Sequence, residues 1–338
     1  MAIVTPPSKV LVTGANGFIA VWIVRFLLEQ GYAVRGTVRT DSKAKYLKER
    51  FAQHGSKLEV LVIPDMTAKG AFDESVKDVQ GILHTAAPVI TNGTYETVVT
   101  PSVDMTENIL LSALKYGNEL RRITVTSSVV TLMQPHEPGY TFTDKDWNEY
   151  ALQELKDKGD KAAPHIFYFA SKTLAERAAW KFYEEHKAEV KWDLETILFP
   201  YVFGPKFHEE YSNGKAQSFL YSHLEQQKLA DTLGDAAGAW ADVRDVALGH
   251  ILSLQKEGAA GKRLIISAGG FAWQDVYDAL ATAQPKLEGI PKGTPGVPRK
   301  AFSIPDASKT NELLGMTYHS LAESARDTVL SVRSPGSF

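Results

Sequence analysis

The chain has 338 residues, of which 44% are hydrophobic and 23% charged, with a formal net charge of -3 and no cysteine. That length carries a sizeable core and suits one large α/β domain with a smaller lobe. The near-neutral charge, with no lysine or arginine block, excludes a nucleic-acid or anionic-membrane footprint, and the lack of cysteine excludes disulfides, thiolate metal sites and cysteine nucleophiles.

Near the start, MAIVTPPSKV places prolines where a secretory signal needs an unbroken apolar run. The apolar segment FIAVWIVRFLL contains Arg25 and is too short to span a bilayer, so a cytoplasmic protein is expected. KVLVTG, AVRGTV, LEVLVI, GILHTA and RRITVTSS then read as successive buried strands, with helical patterns near 17–30, 41–54 and 101–117 between them. Pro101 suits the first turn of the last of these helices. Alternation of this kind is the pattern of parallel βαβ units.

From 134 to 166 the chain is polar and turn-rich around a short helical stretch, which predicts an excursion over the sheet. YFASKTLAERAAWKFYEEH reads as a helix and LETILFP as a sixth strand. Beyond Pro200 the pattern becomes irregular, with a proline- and glycine-rich stretch at 288–300; DVRDVALGHILSLQ and RLIISA are expected to return to the main sheet. The predicted fold is α/β, a Rossmann-type doubly wound parallel sheet with a smaller C-terminal substrate lobe. Residues 1–200 with about 241–268 form the expected Rossmann domain, and 201–240 with 269–338 the smaller lobe.

The strand KVLV runs into TGANGFIA, a GxxGxxA turn opening a helix. Gly14 permits a tight turn, Gly17 allows backbone to approach a pyrophosphate, and Ala20 is small enough for helix and strand to pack closely. Asn16, Phe18 and Ile19 complete this turn, whose exposed amides face an anion. The alternative is a glycine-capped turn that binds nothing. An NAD site needs an acidic residue at the end of the second strand, where this chain reads VRGTVRTDSK. Arg39, with Arg35 or Lys43 as helpers, suits a 2'-phosphate instead, so NADPH is expected over NADH; the nearby Asp41 keeps NADH open.

Tyr168 and Lys172 stand four residues apart and share a helix face. A phenol is a poor acid at neutral pH unless a nearby cation stabilises its phenolate, and Lys172 supplies that charge while also being placed to bond a nicotinamide ribose. A hydroxyl to hold the substrate oxygen is offered by the strand-end pair Ser127 and Ser128, which alternation points to opposite sides. Each feature alone has a bland counterpart: serines ending strands form turns, and Tyr/Lys pairs decorate helix surfaces.

Taken in order, VTGANGFIA, RGTVR, PDM at 64–66, HTAAP at 84–88, VTSS at 125–128, YFASK and PYVFGP at 200–205 resemble the extended short-chain dehydrogenase/reductases. Within them the chain is similar to the dihydroflavonol-reductase-like group, which includes fungal carbonyl, aldehyde and methylglyoxal reductases. WADVRDVALGHI extends the likeness more loosely toward the C-terminus. The resemblance implies that Ser128 orients a carbonyl, Tyr168 protonates it and Lys172 tunes the tyrosine. It also implies Asp65 and Met66 near the adenine, Ala86, Ala87 and Ser127 along the cofactor, and Pro200 and Val202 beside the nicotinamide. Asn108 matches a family asparagine, with a solvated or capping role as the alternative.

The expected activity is reduction of an aldehyde or ketone by NADPH. Val89, Thr131, Pro135, Tyr201 and Phe203 are the residues expected to face the substrate, and their mostly apolar character suggests a hydrophobic or aromatic carbonyl compound. A nucleotide-sugar epimerase or dehydratase is the rival enzyme: it needs carboxylates beside the strand-end hydroxyl, or a tightly held NAD, and TSSVVTLM holds no carboxylate. A non-catalytic dinucleotide sensor is the other rival; it would keep the glycine turn and let YxxxK drift. No histidine spacing matches a metal motif and HEE at 208–210 is discounted, so no metal is expected. The only partner expected is a small carbonyl substrate, with oligomeric state left open.

Overall fold

A computed structural model describes residues 3–88, 93–207, 220, 233–334 and 338. In chain order it contains β1 (Lys9–Thr13), α1 (Phe18–Glu29), β2 (Ala33–Val38), α2 (Asp41–Arg50), β3 (Leu58–Val62), β4 (Gly81–His84), α3 (Thr100–Tyr116) and β5 (Arg122–Thr126). The excursion holds β6 (Thr141–Phe142) and α4 (Glu149–Lys158), before α5 (Pro164–His186) and β7 (Asp193–Leu198). The remainder forms β8 (Tyr201–Phe203), β9 (Ala236–Asp242), α6 (Val243–Gln255), β10 (Arg263–Ile265), β11 (Gly269–Ala272), α7 (Trp273–Ala281), β12 (Ile304–Pro305), α8 (Ser308–Leu314) and α9 (Leu321–Arg333).

Two compact units result. The first comprises Met1–Pro135, Asp144–Leu198 and Ala247–Leu264; the second comprises His136–Thr143, Phe199–Val246 and Ile265–Phe338.

The first unit is built on a seven-stranded sheet in the order β10-β7-β5-β4-β1-β2-β3, parallel at every pairing from β7 to β3. The predicted Rossmann-type sheet is therefore present. β4 and β7 are buried at every position, as strands covered on both faces must be. Leu11, Ile82, Ile123 and Leu194, one from each of four neighbouring strands, pack with Ile109 and Leu110 of α3 and Ala179 and Phe182 of α5. Truncating one of these large side chains to alanine costs about 2–5 kcal/mol. A second cluster, Val98 and Val99 with Ala151, Leu155, Ile166 and Phe167, seats α4 against the start of α5.

Strand order reverses between β1 and β4, which opens a crevice at the carboxyl ends of these strands, the usual ligand position in such sheets. The opposite end of the sheet is closed by a buried ion pair: Arg122 grips Asp193 through Nε at 2.5 Å and Nη2 at 2.9 Å, and donates from Nη1 to the carbonyls of Ser253 and Lys256.

In the second unit β8, β9 and β11 form a three-stranded sheet, and β6 pairs with β12. Its core is aromatic, with Phe203 stacked on Trp240 at 6.0 Å and edge-on to Phe271 at 5.2 Å. Among the described residues no helix is long and apolar enough to cross a membrane.

Candidate active site

The glycine turn sits between β1 and α1 at the crevice. Gly14 has φ +64°, and a Cβ there would lie 3.2 Å from Ala86 Cα, so both conformation and space demand glycine. The turn is closed by Gly17 N–H donating to the Gly14 carbonyl at 2.7 Å, and by Ala15 N–H donating to Thr37 O at 2.8 Å. Gly36 belongs to the same device: a Cβ on it would press to 2.8 Å of Ala15 Cβ. Asn16 is buried, Phe18 and Ile19 are half-buried, and Ala20 packs beneath them. α1 begins without a side-chain cap and without an acidic residue in its first turn, so its amides suit an anion.

At the end of β2 the structure separates the three basic candidates. Arg35 is not a phosphate ligand in waiting, because it is buried mid-strand with Nε on Glu59 Oε2 at 2.7 Å and Nη1 on the carbonyls of Ser75 and Lys77. Position within the strand, not residue type, decides this. Arg39 follows the strand and is exposed; Lys43 is half-buried in the first turn of α2, where its N–H is capped by Thr40 Oγ1 at 3.4 Å. Asp65 Oδ1 accepts from the N–H and hydroxyl of Thr67, and these bonds hold its carboxyl below the usual range. Met66 is buried in the core. Asn108 donates to the carbonyls of Thr67 at 2.7 Å and Ala68 at 3.2 Å, so it braces this loop from α3.

Ala86 and Ala87 follow β4 and are half-buried, with Ala86 N–H donating to Thr13 Oγ1 at 3.0 Å. At the end of β5 the two serines part company. Ser127 donates its hydroxyl to Glu176 Oε2 at 2.6 Å, whereas Ser128 opens a short turn and its Oγ accepts from Val130 N–H at 3.3 Å. Thr131 is fully buried; its hydroxyl donates to Ser128 O and accepts from Arg263 Nη2.

Tyr168, Lys172 and Glu176 follow one another at four-residue steps along α5. Tyr168 is half-buried. Lys172 is only 9% exposed, and burial lowers its ammonium to about 8 against the opposing charge of Glu176. Glu176, one of the residues the sequence reading missed, gathers donors from Ser127, from Thr196 at 3.0 Å and from Arg263 Nε at 2.7 Å. Arg263 also lies over the Trp147 ring at 3.7 Å and donates to the carbonyls of Asp144 and Asp146, which ties the excursion to the sheet. The continuation of YxxxK to a carboxylate four residues on was the available signal for Glu176; nothing local marked Arg263.

His84, also missed, ends β4 and is 2% exposed. Its Nδ1 lies 3.0 Å from Thr13 Oγ1. A cavity of about 20 Å³ is lined by His84, Ser127, Lys172 and Glu176 among others. Pro200, Tyr201, Val202 and Phe203 belong to the second unit, where Val202 and Phe203 are buried and the Tyr201 ring meets Phe271 edge-on at 6.4 Å. Val89 and the HEE segment at 208–210 lie outside the described residues. Among the described residues no group of histidine, aspartate or glutamate is arranged to hold a metal.

The family model for NAD dependent epimerases and dehydratases matches residues 10–269. The chain belongs to this family. Within the epimerase/dehydratase family it is 34% identical to an NADPH-dependent methylglyoxal reductase of Saccharomyces cerevisiae, over 96% of this chain and 98% of that protein. Aldehyde reductase 2 of Sporidiobolus salmonicolor is 32% identical over 97% of each chain. A crystal structure of yeast methylglyoxal/isovaleraldehyde reductase complexed with NADPH superposes with a TM-score of 0.84 at 32% identity, covering 96% of this chain and 98% of that one. The kinship with extended short-chain dehydrogenase/reductases expected from the motifs is thus borne out.

Proposed function

We propose that this epimerase/dehydratase-family member reduces an aldehyde or ketone to the alcohol with NADPH, Tyr168 donating the proton. The observation that carries the reading is a buried lysine one turn from a half-buried tyrosine on α5, with Lys172 lining one cavity with the strand-end Ser127. A buried ammonium acts on its neighbours through a low dielectric, so its stabilisation of a phenolate is far larger than at a surface.

The residues present fit a dinucleotide phosphate. Gly14, Asn16, Gly17, Phe18 and Ile19 offer a close-approach turn and an uncapped helix start, and Arg39 with Lys43 offers charge for a 2'-phosphate where no carboxylate ends the strand. Asp65, Met66, Ala86 and Ala87 border the same crevice end in this reading. When bound, NADPH supplies the hydride. Ser128 holds the carbonyl oxygen by its hydroxyl, because Ser127 has its own hydroxyl committed to Glu176. Tyr168 gives that oxygen a proton, and Lys172 lowers the cost of the phenolate left behind.

Relatives named as methylglyoxal and aldehyde reductases support a small carbonyl compound as substrate. The test is NADPH oxidation by the purified protein against a panel of aldehydes and ketones. Carbonyl-dependent consumption is expected; NADPH binding without turnover of any carbonyl would favour a dinucleotide sensor.

A further inference from the structure

Beside Lys172 lies a chamber of about 20 Å³ whose polar lining comes mainly from His84 of β4, Ser102 and Thr106 of α3, Ser127 at the end of β5, and Lys172 and Glu176 of α5, with alanines and a valine completing the wall. A cavity of that size with several polar groups in its wall accommodates about one water molecule. His84 is the unexplained wall. It is buried at the end of β4, where a polar atom without a hydrogen-bond partner is costly, and its Nε2 has no such partner among the described residues. Its Nδ1 is occupied by Thr13 Oγ1, which already accepts from Ala86 N–H. The arrangement that also satisfies the Thr13 hydroxyl proton has Thr13 donating to Nδ1, which puts the imidazole proton on Nε2.

We propose that the chamber holds a single water that joins the His84 Nε2–H to the Lys172 ammonium, making His84 a positioning residue for Lys172. The water accepts from both nitrogens and donates to oxygens of the wall. Ser102 and Thr106 spend their own protons on the carbonyls of Val98 and Ser102, and Glu176 is an acceptor throughout, so the wall offers lone pairs in the right number. The result is an internal shell for an ammonium that the fold has removed from solvent. Of the residues lining the chamber, His84, Lys172 and Glu176 titrate. Burial, and next to it the Lys172 charge, lower His84 to about 3, so it stays neutral while Lys172 changes charge. The donor from His84 is therefore constant across the working range.

The inference rests on Tyr168 and Lys172 being the reactive pair, yet its test reads the chamber itself. In a high-resolution crystal structure of the full chain, an ordered water within hydrogen-bond reach of both His84 Nε2 and Lys172 Nζ is expected; a dry chamber overturns the proposal. In solution, the Lys172 side chain is titrated by NMR, its signal assigned by its loss in Lys172→Met. His84→Phe keeps the ring edge-on to Phe72 and removes the donor, and the Lys172 titration is expected to fall by about one pH unit as the ammonium loses its shell. His84→Gln, whose amide restores an N–H on that side, is expected to return most of the shift. A Lys172 titration unmoved by His84→Phe overturns the proposal. If Tyr168→Phe kept full turnover, the reductase reading would fall while the water and the titration still decided the role of His84.

Discussion

Ser127 and Glu176 meet at 2.6 Å, the hydroxyl at the end of β5 donating to a carboxylate on α5. In the proposed mechanism this bond makes Ser127 the structural member of the two adjacent serines. A buried serine hydroxyl on a charged acceptor contributes about 1.5–3 kcal/mol to stability, so Ser127→Ala is expected to lower the denaturant midpoint. Ser128→Ala is expected to leave the unfolding free energy within about 1 kcal/mol of wild type and to reduce carbonyl turnover instead. Paired urea melts and initial rates separate the two.

Glu176 and Arg263 form a buried pair one helical turn beyond Lys172, with side chains 0% and 9% exposed. Removing one partner strands the other in a dry interior, which typically costs about 3–5 kcal/mol. Glu176→Ala is expected to show that loss on chemical denaturation and to lower the Lys172 titration, since the Glu176 charge is what opposes burial.

Arg39 is the exposed cation that follows β2. Arg39→Ala is expected to weaken NADPH binding by roughly 10- to 100-fold, the worth of a charge-assisted contact to phosphate, with NADH affinity unchanged. Isothermal titration with both cofactors measures this. Arg35→Ala should instead destabilise the fold, because its guanidinium is tied to Glu59 and to three backbone carbonyls.

Lys172 is expected to set the pH dependence of the rate. Burial lowers its ammonium from 10.5 to about 8. In the proposed mechanism the charge that assists Tyr168 is present below that value, so carbonyl reduction is expected to fall as pH rises through about 8. The stability effect runs the other way. Between about 8 and 10.5 the unfolded chain holds a proton that the folded chain has released, so the contribution of Lys172 to stability rises with pH across that window and its burial cost is fully present below it. Lys172→Met should flatten the basic limb of the rate profile and remove this slope from unfolding free energies measured at several pH values.

Much of the first unit was legible because its signals are local. β-branched runs, glycines at fixed offsets and the four-residue step from Tyr168 to Lys172 announce strands, a phosphate turn and a helix face. The partners that hold these parts came from far along the chain and carried no local mark: Arg263 reaches Glu176 across 87 positions, and His84 meets Thr13 across 71. Arg35 shows the converse limit. Its charge suggested a phosphate, but two-residue alternation could not say that its guanidinium would run to the carbonyls of the loop at 74–77. Thr131 shows the same limit, since a hydroxyl three residues past the candidate Ser128 looks available until Arg263 is seen to donate to it.

The most direct test of the account is the turnover of Tyr168→Phe, measured as NADPH oxidation with the best carbonyl substrate of the wild-type chain. The change removes one oxygen and little volume, so the melting temperature and cofactor affinity should be retained while the rate drops by about 10²- to 10⁴-fold, the usual worth of a positioned general acid. A variant within a few-fold of wild type would contradict the assignment of Tyr168 as proton donor.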